Sequence, residues 1–389
     1  MKQITISQLK QILPIFDQAR YAVKLTGTYG IGKSEVVYQY AQEKAHREGR
    51  IFVNWNSLSI EQKDDAIENP SKYCAFIDFR LAQCDPSDLR GIPMPVQKKE
   101  YLISTPYSWA LYITQKESSG LVFFDENNLC TNLVSASCYQ IINDRVIADR
   151  AIGEKVFIMA AGNSIQDNPE IFEEPLPLKD RFVEYELVFS AADWLAWAAG
   201  KINPLIYTFC AWKKSMILHH NDGKDKDVTP RGVVRVSNCL AGIDDIEKNP
   251  LSDIIISGCV GTGWCAQFKA YLKNFNELNW KTLIKNPDKV NDLNIDKKYA
   301  VIGGIVEKLF DLTKKVGTKS IKAKTPEAEV FMDYCKLLLS FDTEMFVLGK
   351  LQLANSNETN TMFTINLMIN PIFKELKKMF QDRHSAKID

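Results

Sequence analysis

No stretch of this chain approaches the roughly 20 uninterrupted apolar residues that a bilayer span requires. Its start, "MKQITISQLKQILPIFDQ", has no apolar core long enough for a secretion signal. An excess of one charge is also missing: Lys+Arg and Asp+Glu number 48 each, so no global field attracts nucleic acid or anionic lipid. Nine cysteines are present, but none forms a C-x-x-C pair and several sit inside apolar runs. They read as reduced, core-filling thiols. There is no internal repeat, no low-complexity tract and no recognisable DNA-binding module. These absences predict a soluble, cytoplasmic protein with no membrane partner.

What is present is enough apolar sequence, 46% of 389 residues, for one large core and a smaller one. The first half alternates strand-like and helix-like segments, the pattern of a parallel α/β sheet. Short apolar runs occur at Val23–Thr26, Cys74–Phe79, Leu121–Phe124, Val156–Ala160 and Val183–Leu187. The first, third and fourth hardly alternate in polarity, as expected of central strands covered on both faces. After about Leu187 the signals are helical only. Asn203-Pro204 and Thr229-Pro230 each pair a capping residue with proline at the first helical position. From about residue 276 the chain is lysine-rich, with amphipathic helices expected over "AVIGGIVEKLFDLTKK", "AEVFMDYCKLLLSF" and "TMFTINLMINPIFKELKKMF". The last could present a partner-binding face, although such stripes more often pack on their own domain.

The chemistry concentrates in the first half. Gly27-Thr28-Tyr29-Gly30-Ile31-Gly32-Lys33-Ser34 fits G-x-x-x-x-G-K-[ST]. Glycines there let successive N–H groups turn around an anion, the following helix adds its positive end, and Lys33 adds a full charge at the outer phosphates. Ser34 is the expected magnesium ligand. The pattern arises by chance elsewhere, but here it follows a strand and opens a helix. "GLVFFDENN" then puts Asp125 and Glu126 at the end of a buried strand. Asp125 would hold the metal through water, and Glu126 would orient and deprotonate the attacking water. An isolated acidic pair suits a surface turn equally well; four preceding apolar residues and the upstream loop favour the catalytic reading. "VFIMAAGNS" ends another strand with Asn163, able to position the same water. Arg181 precedes the last strand, where it could reach a neighbouring subunit's ATP. Arg231 lies in the first turn of a helix, where a cation is unfavourable unless a polyphosphate is near.

With these residues in place the chain resembles an AAA+ ATPase of the MoxR type, over roughly residues 15 to 275. Gly27–Ser34 matches Walker A, Asp125 and Glu126 Walker B, Asn163 sensor one, Arg181 the arginine finger and Arg231 sensor two. "DFRLAQCDPSDLRGIPMP" is similar to the segment before the helix-2 insertion, and "NDRVIADRAIGEKVFIMAAGN" to the hairpin before sensor one. Glu35 and "DENN" depart from the usual pattern without removing a catalytic atom. The resemblance implies a P-loop NTPase fold with a five-stranded parallel sheet in the order 5-1-4-3-2. It implies an α/β nucleotide-binding core (1–189), an all-α lid (190–275) and, beyond the family, an all-α extension (276–389). It also implies ATP and Mg2+ as cofactors, a hexameric ring, and a protein substrate or a partner with a von Willebrand factor A domain.

Weaker signals have plainer explanations. "GCVGTGW" (Gly258 to Trp264) is glycine-rich but has no lysine, so close helix packing is expected. His219 and His220 lack Cys or acidic companions at metal-ligand spacing. "VQKKEYLI" suggests a hairpin with Lys98 and Lys99 at its tip. The competing function is a nucleic-acid-associated motor, favoured by lysines such as Lys281, Lys285, Lys314, Lys315, Lys319, Lys322 and Lys324 and disfavoured by the neutral net charge.

Overall fold

The computed structural model describes residues 1–164, 181–221, 223–243 and 245–385; the 175–180 part of the run leading to Arg181 lies outside them. The chain forms two compact units, Met1–Ser190 and Ala191–Asp389. Among the described residues no helix is long and apolar enough to cross a membrane.

The first unit is a mixed α/β layer structure. Its strands are β1 (Lys2–Ile4), β2 (Val23–Thr26), β3 (Ile51–Asn54), β4 (Tyr73–Arg80), β5 (Ile92–Pro95), β6 (Leu102–Thr105), β7 (Ser119–Asp125), β8 (Val146–Ile147), β9 (Arg150–Ala151), β10 (Lys155–Ala161) and β11 (Val183–Leu187). Seven of them make one sheet in the order β1-β11-β2-β10-β7-β4-β3, every pair parallel. The sheet thus has seven strands where five were expected. The additions, β1 and β3, are edge strands of three and four residues. An edge strand loses one neighbour and much of its cover: β1 carries no apolar run, and β3 has Ile51-Phe52-Val53 but leaves Ile51 58% exposed.

Period-two alternation decides what each strand offers to each face. Leu121, Val122, Phe123 and Phe124 are all buried, because helices cover both sides of β7. On one side lies α2 (Lys33–Arg47), whose Tyr38 and Tyr40 meet Phe76 and Phe157 edge-on at 5.2 and 5.8 Å. Phe76 stacks with Phe123 at 6.2 Å on that same face. On the other side, α3 (Ile60–Glu68), α5 (Ser108–Ile113) and α6 (Asn132–Asn143) enclose a core containing Trp55, Ala75, Ile77, Tyr112, Val122, Phe124, Ile141 and Ile158. Each fully buried ring or branched chain contributes about 1.5–3 kcal/mol. That packing sets the height of every strand end at the site. Among the described residues the other α-helices of this unit are α1 (Ile6–Ala19), opened by a Thr5–Gln8 capping box, and α4 (Pro86–Arg90).

Two antiparallel ribbons stand outside the sheet. β5 pairs with β6, and the tip carries Lys98 in a left-handed conformation with φ +62°. β8 pairs with β9, at the segment where the sequence resembles the hairpin before sensor one.

The second unit is helical. Asn203 accepts from Leu205 and Ile206 N–H groups, and Thr229 from Gly232 N–H, capping the Pro204–Trp212 and Pro230–Leu240 helices. The same cap-plus-proline opening recurs at Asn249-Pro250 and Thr325-Pro326. "GCVGTGW" is a junction between Pro250–Val260 and Thr262–Asn276, with Gly261 at φ +91°. Asp225 seals it by accepting from Thr262 Oγ1 at 3.0 Å and Gly263 N–H at 2.9 Å. His220 meets Asp227 at 2.9 Å, and no metal-binding cluster occurs among the described residues. The Ile295–Val316 helix packs on both Pro204–Trp212 and Thr262–Asn276. The final expected helix is broken: Asn357–Phe363 widens into a π-helical turn at Thr364–Ile369, and Lys374–Ser385 starts anew after Pro371. Proline lacks the N–H that a continuing helix needs.

Candidate nucleotide site

The glycine-rich loop joins the end of β2 to α2. Gly27 has φ +152°, and a Cβ there would lie 2.5 Å from Leu187 O, so only glycine fits between the loop and β11. Gly32 caps α2 in a left-handed conformation, φ +102°, and brings the next two side chains to the first turn. Lys33 is buried. Its ammonium donates to Gly27 O at 2.7 Å, Thr28 O at 2.9 Å and Asn163 Oδ1 at 3.2 Å. Ser34 Oγ donates to Asp125 Oδ2 at 2.7 Å. Two adjacent residues at the start of α2 are thereby tied to the ends of two strands, Lys33 to Asn163 after β10 and Ser34 to Asp125 at the end of β7.

Asp125 and Glu126 follow the β7 run as expected. Asp125 Oδ1 accepts from Glu126 N–H at 2.9 Å, and Glu126 itself holds φ +56°. A left-handed glutamate is uncommon and costs on the order of 1 kcal/mol. The turn that follows was not read from the sequence. Asn127 N–H donates to Ala161 O at 3.0 Å. Asn128 clasps Asn163 at both main-chain groups, donating from Nδ2 to Asn163 O at 2.7 Å and accepting Asn163 N–H at 3.2 Å. The second asparagine of "DENN" therefore fixes the end of β10. No sequence signal pointed to Asn128: where "DENN" departs from the usual DEI, the departing residue is Asn127.

A third carboxylate was also missed. Asp78 pairs in register with Phe123, and Arg80 with Asp125, so alternation puts Asp78 on the α2 face. Asp78 Oδ1 is buried without a hydrogen-bond partner. Loss of water, then the charges of Asp125 and Glu126, push its carboxyl above the usual range, while Arg80 opposes the shift.

The two arginines lie in different units. Arg181 sits just before β11 with its guanidinium 5.5 Å from the centre of the Tyr139 ring on α6. Arg231 is exposed at the second position of the Pro230–Leu240 helix in the second unit.

The residues fit a bound polyphosphate and its cation. The loop's three glycines all take positive φ, Thr28 Oγ1 is buried with no partner of its own, and a buried ammonium faces two carbonyls and an amide oxygen. Ser34 and Asp125 present hard oxygen donors of the kind Mg2+ takes.

No family model and no curated protein matches the chain. Among solved structures, C. elegans PCH-2 is similar at 14% identity, over 70% of this chain and 68% of that one, with a TM-score of 0.30. A point mutant of Thermotoga maritima RuvB aligns at 13% identity over 81% and 78%, TM-score 0.33. Aeropyrum pernix ORC2, in ADPNP–ADP complexes, aligns at 9% over 98% and 94%, TM-score 0.34. At such scores similarity assigns no family.

Proposed function

We propose that this chain is a magnesium-dependent ATPase of the AAA+ class, MoxR-type, acting in the cytoplasm as a ring-forming remodeller of protein complexes. The observation that carries it is the pairing of two neighbouring residues of the loop and helix start with two strand ends, Lys33 with Asn163 and Ser34 with Asp125. Turn glycines, a helix start, a buried lysine, a hydroxyl and a strand-end carboxylate are the parts that phosphoryl transfer uses for positioning and charge neutralisation. The relative order of the five strands bearing the apolar runs, β11-β2-β10-β7-β4, supports the reading, since it agrees with 5-1-4-3-2. Residues 1–189 are assigned to the nucleotide-binding core, 190–275 to the lid and 276–389 to the extension.

In this reading Gly27–Ser34 hold the phosphates through main-chain N–H groups, with Lys33 at the outer charges. Ser34 and Asp125 hold Mg2+, which when bound neutralises charge building up on the phosphates. Glu126 takes the proton of the attacking water, and Asn163 orients that water. Arg181 acts on a neighbouring subunit's ATP, and Arg231 acts from the lid. A hexamer working on a protein substrate, or beside a von Willebrand factor A domain partner, completes the assignment.

Glu126→Gln tests it. The amide keeps the size and loses the base, so ATP binding should persist while turnover falls by about 10²–10⁴. Parental turnover in that variant, measured by phosphate release, defeats the assignment of Glu126.

A further inference from the structure

Eight lysines and one acidic residue fall in two segments of the second unit that are distant in sequence. Residues 312–326 carry Lys314, Lys315, Lys319, Lys322 and Lys324 with no Asp or Glu, and residues 359–381 carry Lys374, Lys377 and Lys378 against Glu375 alone. In a chain of zero net charge this is a marked local excess.

Two buried asparagines join the segments. Asn366 accepts Ile321 N–H at 2.7 Å and donates to Lys319 O at 3.2 Å, while Asn370 donates to Ile321 O at 2.9 Å. Asn366 also donates to Met362 O at 2.9 Å. Buried polar groups satisfied in this way fix one geometry, so the lysines flanking Ile321 are held beside the 366–370 turn. Lys314 is engaged by Asp311, Lys315 by Glu327, and Lys377 donates to Met368 O. Lys319, Lys322, Lys324, Lys374 and Lys378 form no ion pair among the described residues.

The same turn exposes aliphatic surface. Ile369 is 72% exposed, with Met368 and Ile372 beside it also outside, whereas Leu367, Phe373, Leu376 and Phe380 fill the core. The core is complete without the three outward residues.

We propose that this face docks an acidic amphipathic segment of a partner protein, with Met368, Ile369 and Ile372 taking its apolar side and the free lysines its carboxylates. The charge of the face selects an acidic partner, and the aliphatic residues select against bare phosphate. Duplex DNA offers charge without apolar surface, and no exposed aromatic ring is present here to stack unpaired bases. Residues 359–385 contain no Trp or Tyr, the residues that anchor a face at a lipid interface.

The test uses the full-length protein without nucleotide, so its outcome is independent of ATP turnover. The probe is a labelled 20-residue helical peptide with leucines on one face and glutamates on the other, followed by fluorescence anisotropy. A peptide of the same composition with scattered leucines, a 20-base-pair DNA duplex and phosphatidylserine-containing vesicles are the comparisons. Saturable binding of the amphipathic peptide is expected, weakened at least about tenfold by Ile369→Asp and by Lys374→Glu with Lys378→Glu. The scrambled peptide should bind about tenfold more weakly, because charge alone remains. Ile369→Gln, with circular dichroism of every variant, separates lost docking from lost folding. No saturable binding, equal binding of both peptides, or tighter binding of DNA or vesicles through the same lysines overturns the proposal.

Discussion

Asp78 stands on the α2 face of β4 with one carboxylate oxygen buried and unpartnered, its ionisation opposed by the charges of Asp125 and Glu126 and favoured by that of Arg80. Its carboxyl is raised, chiefly by loss of water. A group whose pKa is raised on folding adds stability that is complete below its ordinary value and is lost as the pH rises through the raised one. At neutral pH, without bound cation, the ionised form is therefore a net cost. Asp78→Asn should raise the melting temperature of the nucleotide-free protein at pH 7 by about 1–2 °C, solvent screening of this half-buried group keeping the gain to roughly 0.5 kcal/mol. The gain should shrink as the pH falls toward the ordinary carboxylate range. An unchanged or lowered melting temperature at pH 7 would show that Asp78 is not a burden there. Lys33, Ser34, Asp125 and Asn163 were legible as residues because their motifs encode local turns. Asp78 was not: it lies within an apolar run, and only the pairing of β4 with β7 brings it to the site.

At the scale of elements, the β8–β9 ribbon turns through Ala148 and Asp149, at φ +47° and +61°. Two consecutive left-handed residues define a type I′ turn, which prefers glycine at its second position. Asp149 is exposed, so Asp149→Gly should remove strain without removing packing, stabilising the protein by about 0.5–1 kcal/mol. Chemical denaturation would read the gain as a higher midpoint at constant slope; a lower midpoint would mean the aspartate contributes more than its strain costs. The same scale shows where sequence reading succeeds. Central strands such as β7 and β10 are covered on both faces, so their burial is written as continuous apolar runs. Edge strand β1 is three residues with one buried and leaves no such trace, while β3 writes only the short run Ile51-Phe52-Val53, none of it fully buried. The break at Pro371 was visible as a residue, yet the apolar stripe around it masked its effect. Asn366 and Asn370 satisfy the turn's main chain from within the core, a tertiary arrangement that no periodicity predicts.

For the whole molecule, the proposed ATP sites lie between copies of the chain, and Arg181 is the residue that would report it. Its guanidinium stacks over Tyr139, so the ring on α6 orients it from within its own subunit. If Arg181 neutralises charge on a neighbour's ATP, Arg181→Ala should lower turnover by about 10³-fold or more, while nucleotide binding to each subunit persists. Lys33→Ala should lose binding instead, because the buried ammonium of its own loop is gone. Mixing the two inactive variants then separates the models. An interface pairing an intact loop on one subunit with an intact Arg181 on the next is active, and at equal mixing about one interface in four has that composition for random assembly. Partial recovery at intermediate ratios, together with a shift to a larger species by light scattering in the presence of a slowly hydrolysed ATP analogue, is the expected result. Failure to recover at every ratio would return Arg181 to a role within its own subunit, where its stacking on Tyr139 would be packing rather than aim.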